Sequence, residues 1–208
     1  MSTKTNKSEL LKNIHETLDS VRLGIDLYTH GKGQERKAGL RNAVVFGRAV
    51  TSSIQKYKGL VDHKEFDIWY AKWQSIMKQD PGMKYLYRLR SVILKEGILR
   101  VGTNSFINEL TPENIEEYFK LAPPNAINFF IGDEYGGTGF TVVGNNGEES
   151  KYYISLPDNS NIGANLEMID VPHYTTYNGT SINSTKSLLD FYYQFLGVMV
   201  KDLELKFS

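Results

Sequence analysis

The residues best suited to chemistry in this sequence are arginines standing where apolar side chains belong. Between Pro81 and Glu96, Leu86, Leu89, Ile93 and Leu94 recur at helical spacing and mark one apolar face, and Arg90 falls inside it. A guanidinium turned toward a helical core must meet acceptors or line a wet groove, because an unpaired buried charge costs several kcal/mol. Lys95 follows five residues later, just off that face. Between Gln34 and Lys58, Arg41 and Arg48 stand seven residues apart on one rim of a second apolar stripe, beside Asn42 and Val45. Three arginines and a lysine on two helices are expected to form one basic groove suited to phosphate, arginine through its planar fork and lysine as a point charge. Each placement also has a structural alternative. Arg90 can close an ion pair with a carboxylate such as Glu16, Asp19, Asp26 or Asp67; Arg41 and Arg48 can lay their stems along the edge of the core with their heads in water.

Other reactive residue types form no comparable set. The 208 residues include no cysteine, which excludes thiolate metal sites, thiol nucleophiles and disulfides. His15, His30, His63 and His173 are too scattered for a zinc spacing, so no metal and no cofactor is expected. The run Gly132-Asp133-Glu134-Tyr135-Gly136-Gly137-Thr138-Gly139 is as glycine-rich as a phosphate cradle. It lacks the lysine of a P-loop and lies between two β-type runs, which makes it a hairpin turn. Asp133 and Glu134 have no third carboxylate at loop spacing for a hard cation, and His173 has no serine in a nucleophile-elbow setting. Phe66, Trp69 and Trp73 recur at helical spacing and read as core.

The elements that must position these residues change character along the chain. Leu11, Ile14, Leu18, Val21, Ile25 and Tyr28 lay a continuous stripe down a helix from about Ser8 to Thr29, closed by Gly31-Lys32-Gly33. A second helix, Gln34 to Lys58, turns Leu40, Ala43, Val44, Gly47, Val50, Thr51 and Ile54 to one side. Asp62 with Glu65 opens a third, with Phe66, Trp69, Tyr70, Trp73 and Met77 facing inward. Asp80-Pro81 starts a fourth that Gly97 ends. After Gly102 a short acidic helix begins at Thr111-Pro112-Glu113, and β-type runs follow at 127–131, 139–143, 151–156 and 164–169. From Thr185 to Leu205 the apolar stripe Leu188, Tyr192, Phe195, Leu196, Met199, Leu203 is wide enough to require burial on most sides. The expected fold class is α+β: an antiparallel helical bundle over 1–102, completed by the C-terminal helix 185–205, with a short helix and a small antiparallel β-meander inserted at 103–184.

Charge follows the same division. Basic and acidic residues balance at 24 each, but Met1 to Ser105 carries 19 basic and 10 acidic residues, and Phe106 to Ser208 carries 5 and 14. The net zero is a positive half added to a negative one. The polar N-terminus has no apolar signal core, and the run 188–200 contains Asp190 and Gln194 and is too short to span a bilayer, so a cytoplasmic protein without membrane contact is expected.

A helical bundle whose late helix carries Arg90-Ser91-Val92-Ile93-Leu94-Lys95-Glu96-Gly97 resembles the HEPN superfamily, whose signature is an arginine, a polar neighbour and a histidine some five residues later. The resemblance covers about Ser8 to Gly97 and the last helix. It implies a dimeric bundle related to metal-independent ribonucleases of toxin and antiviral systems, and to nucleotide-binding or inactive partner proteins. Arg90 takes the arginine's place, Ser91 that of the polar neighbour, and Lys95 stands where the histidine belongs. Arg41-Asn42 keeps an arginine with its polar neighbour, but Arg48 lies near the histidine position. Imidazole exchanges protons near neutral pH with a pKa of about 6.5, whereas a lysine near about 10.4 must be strongly depressed to do so. The departure therefore favours binding over cleavage.

The expected function is RNA or nucleotide binding through Arg41, Asn42, Arg48, Arg90 and Lys95, as a homodimer, in a host-defence or toxin–antitoxin setting. Two other classes stay open: a non-catalytic interaction or regulatory module whose acidic β lobe meets a basic partner or a second copy, and a metal-independent ribonuclease using Arg90 and Lys95.

Overall fold

A computed structural model describes residues 6–157 and 159–207. The chain is α+β, and its elements are α1 (Lys7–His30), α2 (Gln34–Lys56), a 3-10 turn (Tyr57–Leu60), α3 (His63–Gln79), α4 (Pro81–Glu96), β1 (Val101–Ile107), α5 (Pro112–Phe119), β2 (Ala126–Ile131), β3 (Thr138–Val143), β4 (Glu149–Tyr153), β5 (Ile162–Met168), β6 (Tyr174–Thr175), β7 (Ser181–Ile182) and α6 (Thr185–Phe207). It divides into a helical unit, Met1–His30, Ala38–Leu99 and Asp170–Ser208, and a β unit, Gly31–Lys37 and Arg100–Ile169. Among the described residues no helix is long and apolar enough to cross a membrane.

In the helical unit the stripes are core. Ile14, Leu18, Val21, Ile25 and Tyr28 of α1 are buried, with Leu10 rather than Leu11 completing the row at its start. All seven expected positions of α2 are buried, but the α-helix stops at Lys56 and tightens into the 3-10 turn, which buries Tyr57. The Asp62 side chain accepts from Glu65 N to start α3, and Asp80 accepts from Met83 N to start α4. Gly97, at φ 70°, takes the left-handed conformation that ends α4. On α3, Phe66, Trp69 and Tyr70 are buried, whereas Trp73 and Met77 are half-buried. The six stripe residues of α6 are all buried. Asp202 of α6 accepts both indole N–H groups of the chain, from Trp69 at 2.7 Å and from Trp73 at 2.9 Å. α1 and α2 approach so closely that a Cβ on Gly39 would lie 2.5 Å from Gly24 O and 2.5 Å from Tyr28 N.

The β unit departs from a single meander. β2, β3 and β4 form one antiparallel sheet, but β5 leaves it and pairs with β1, residue for residue from Val101↔Met168 to Ile107↔Ile162. Pro157 lies between β4 and β5 and cannot donate to a ladder, which helps to end the meander there. α5 opens on a capping box between Thr111 and Asn114, and its Tyr118 and Phe119 pack on Phe129 and Phe140 of the sheet.

The Gly132–Gly139 run is the β2–β3 hairpin, and Asp133 organises it. Its Oδ1 accepts from Tyr135 N and Gly137 N at 2.9 Å each, and its Oδ2 accepts from Lys151 Nζ at 2.9 Å and from the Tyr153 hydroxyl at 2.6 Å. β6 and β7 pair as a short ribbon that counts with the helical unit, so the returning segment starts at Asp170 instead of Thr185.

Candidate functional site

The side chains of four helices in the helical unit enclose a cleft of about 580 Å³. On α2, Arg48, Thr51 and Gln55 recur at three- and four-residue spacing and share one face. Tyr70, Gln74, Met77 and Lys78 do the same on α3, and Met83, Lys84, Leu86, Tyr87 and Arg88 come from α4. The capped turn at Asp80 brings Lys78 and Lys84 into one lining: Asp80 alone separates the end of α3 from the start of α4.

Burial sorts the lining into layers. Tyr70, Met83, Leu86 and Tyr192 of α6 are buried and make an apolar floor; Arg48, Gln74 and Met77 are half-buried; Lys78, Lys84, Tyr87 and Arg88 are exposed at the rim. Gly47 makes the floor possible, because a Cβ there would stand 2.2 Å from Cε1 of Tyr192. Burial pushes the Tyr192 phenol well above its usual range, against the pull of Arg48 and Arg90, so it remains protonated at neutral pH.

Arg48 is held ready. Its Nη1 donates to Thr51 Oγ1 at 2.6 Å, and its guanidinium lies 5.6 Å from the Tyr87 ring centroid. A guanidinium carries five N–H donors, so most stay available to a ligand. Among the described residues none of Arg48, Lys78, Lys84 and Arg88 makes an ion pair, and no lining residue is Asp or Glu. The lining therefore carries four cations with no carboxylate among them, an arrangement that attracts anions. Gln55 Nε2 donates to the Tyr70 hydroxyl at 2.6 Å, while the Gln74 amide makes no hydrogen bond among the described residues.

The expected groove of Arg41, Asn42, Arg48, Arg90 and Lys95 is not assembled as one lining; of these only Arg48 faces the cleft. Arg41 Nη2 donates to Gly97 O at 2.7 Å and so closes the C-terminus of α4. Asn42 is half-buried, and Lys95 is exposed on the last turn of α4. Arg90 is half-buried, its enclosed Nε has no hydrogen-bond partner among the described residues, and its charge is felt at Tyr192. Among the described residues Arg90 makes no ion pair with Glu16, Asp19, Asp26, Asp67 or any other carboxylate. Lys78, Lys84, Arg88, Gln74 and the tyrosines were not legible as a site. Their signal was a cationic pair one turn apart on α4 flanking Tyr87, easily taken for a solvated face.

The charge division also shifts. Counted over the two units, the helical unit has 18 basic and 13 acidic residues and the β unit 6 and 11. Lys32, Arg36, Lys37 and Arg100 fall with the β unit, and the returning segment brings Asp170, Asp190, Asp202 and Glu204 to the helices.

Residues 28–128 are similar to the family described as bacteriophage lambda protein ea47. That stretch contains every lining residue of the cleft except Tyr192. No curated protein and no solved structure matches the chain.

Proposed function

We propose that the helical unit binds a phosphate-bearing ligand, RNA or a nucleotide, in the cleft between α2, α3, α4 and α6. The observation that carries this reading is the set of four cations, Arg48, Lys78, Lys84 and Arg88, facing about 580 Å³ of tyrosine-rich space with no carboxylate among them. Arg48, tied to Thr51 and stacked on Tyr87, is the natural fork for a phosphate, and the rim lysines add point charges. Arg90, the residue on which the HEPN resemblance centres, contributes charge beside the floor rather than a ligand contact. The lining holds no His, Asp or Glu to move protons, and Lys95 lies outside it, so binding suits the cleft better than cleavage.

Binding of labelled single-stranded RNA and of ATP is measured across a salt series. Arg48→Ala and Arg88→Ala are each expected to weaken affinity about tenfold and to flatten the salt dependence. Arg41→Ala and Lys95→Ala leave it unchanged. Absence of binding at low salt, or an Arg48→Ala protein that binds like its parent, sinks the reading.

The β unit favours a second reading, a surface for a basic protein partner or a second copy. Ile115 and Phe119, one turn apart on α5, are 38% and 55% exposed beside Glu113, Glu116 and Glu117. Such a contact predicts assemblies that dissociate as salt rises; a single species of one size at low and high salt, alone and with a polylysine probe, counts against it.

A further inference from the structure

We infer that the ligand of this cleft is an adenine nucleotide whose base is read by the amide of Gln74; the inference rests on the reading of the cleft as a phosphate site. A ligand that used the cations alone would leave the floor idle. The floor of Tyr70, Met83, Leu86 and Tyr192 is buried and apolar, and the rim above it is cationic. The fitting molecule therefore has a flat, weakly polar body and an anionic tail, and about 580 Å³ is of the size that small cofactors occupy. A base lying against the apolar floor with its phosphates at Lys84 and Arg88 satisfies both layers.

The choice among bases falls to the polar side chains that line the cleft above the floor. Gln55 is exposed and gives one Nε2 hydrogen to the Tyr70 hydroxyl, whereas the half-buried Gln74, one turn beyond Tyr70 on α3, has an amide without a hydrogen-bond partner among the described residues. A primary amide offers one donor and one acceptor side by side, which matches the amino group and ring nitrogen of adenine. Guanine can also pair N1–H and O6 with an amide, but its N2–H₂ donors would then lack an acceptor, because the lining has no carboxylate. Cytosine offers an edge that an amide can pair with, but its single ring covers less of the floor. An unpaired amide is also costly to bury under the wrong base, which turns a match into discrimination.

The test is isothermal titration of the full chain with ATP, GTP, CTP, inorganic tripolyphosphate and a 5′-phosphorylated oligoadenylate at low salt. ATP is expected to bind at least about tenfold more tightly than GTP, CTP or tripolyphosphate, and Gln74→Ala to remove that advantage while leaving tripolyphosphate binding as it was. Gln74→Glu, which repels the acceptor nitrogen of adenine, is expected to give the same loss, with circular dichroism establishing that both variants are folded. Oligoadenylate binding with the same dependence on Gln74 identifies an RNA strand as the source of the nucleotide; ATP binding without it identifies the free nucleotide. Either supports the inference. GTP or CTP binding as tightly as ATP, or selectivity that survives Gln74→Ala, overturns it. If tripolyphosphate binds as well as ATP, the phosphate site stands and the base reading fails. If ATP, tripolyphosphate and oligoadenylate all fail to bind, both fall.

Discussion

Asp133→Ala is expected to remove about 2–3 kcal/mol from the stability of the β unit, since it leaves part-buried donors without their charged acceptor. The Asp133 side chain is 4% exposed and accepts four hydrogen bonds, two from backbone amides of its own hairpin and two from Lys151 and Tyr153 of β4. Without the carboxylate the Tyr135 and Gly137 amides and the Tyr153 hydroxyl lose their acceptor, and bonds to a charged group are each worth about 1.5–3 kcal/mol. Asp133→Asn keeps an acceptor for the two amides but loses the charge that faces Lys151, so about half the loss is expected. Hydrogen exchange at the Phe129, Phe140 and Tyr152 amides reads the effect directly. Unchanged protection in Asp133→Ala refutes it.

The same network sets a pH window. Burial works to raise the Asp133 carboxyl, but the bonds from Tyr153, Gly137, Lys151 and Tyr135 outweigh it and hold the group below the ordinary carboxylate range. Its contribution is therefore complete above that range and is lost as pH falls through the lowered folded value. Lys151 runs the other way: burial works to lower it, but Glu134 and Asp133 raise it above the usual lysine value. Its share is present below that value and lost as pH rises through the folded one. Protection of the hairpin is thus expected to be flat from about pH 5 to pH 9 and to fall on the acid side first.

Gly39→Ala is expected to destabilise the helical unit by about 2 kcal/mol, and Gly39→Val by more. The added Cβ meets backbone, Gly24 O and Tyr28 N at 2.5 Å each and Leu27 Cβ at 2.7 Å, so α1 and α2 must part rather than a side chain rotate. Overpacking of this kind costs about 1–3 kcal/mol and here exceeds the roughly 1 kcal/mol that alanine gains over glycine in a helix. Gly197→Ala supplies the control. It lies inside α6 with nothing within 4 Å of the new Cβ, so the same substitution is expected to stabilise by about 0.5–1 kcal/mol. Denaturant unfolding followed by the emission of Trp69 and Trp73 measures both. Midpoints that move in the same direction would exclude the backbone-contact argument.

The helices were legible because their starts and stops are local events. Asp62, Asp80 and Thr111 each cap an amide three residues on, and Gly97 closes α4 with its own backbone conformation. The buried stripes of α1, α2 and α6 follow from periodicity for the same reason. The partner of β5 could not be read in this way. β1 contains Gly102, Asn104 and Ser105, poor strand formers, and becomes a strand only because a segment some sixty residues away supplies its hydrogen bonds. Nothing local to either segment encodes that pairing.

The arginines divide along the same line. Their types and helical spacing determined that α2 and α4 would carry excess positive charge beside an apolar core, and this is a property of sequence alone. Which charge reaches a ligand was decided by what the neighbouring helix offers. α4 presents a Tyr87 ring to Arg48 and a terminal carbonyl at Gly97 to Arg41, so one guanidinium stacks at a cleft and the other closes a helix. Lys78 and Lys84 become one rim only through the turn at Asp80, and the floor beneath them exists because Gly47 admits Tyr192 from a helix more than a hundred residues later. Periodicity specifies the face on which a side chain stands; the packing of helices distant in sequence decides what that face meets.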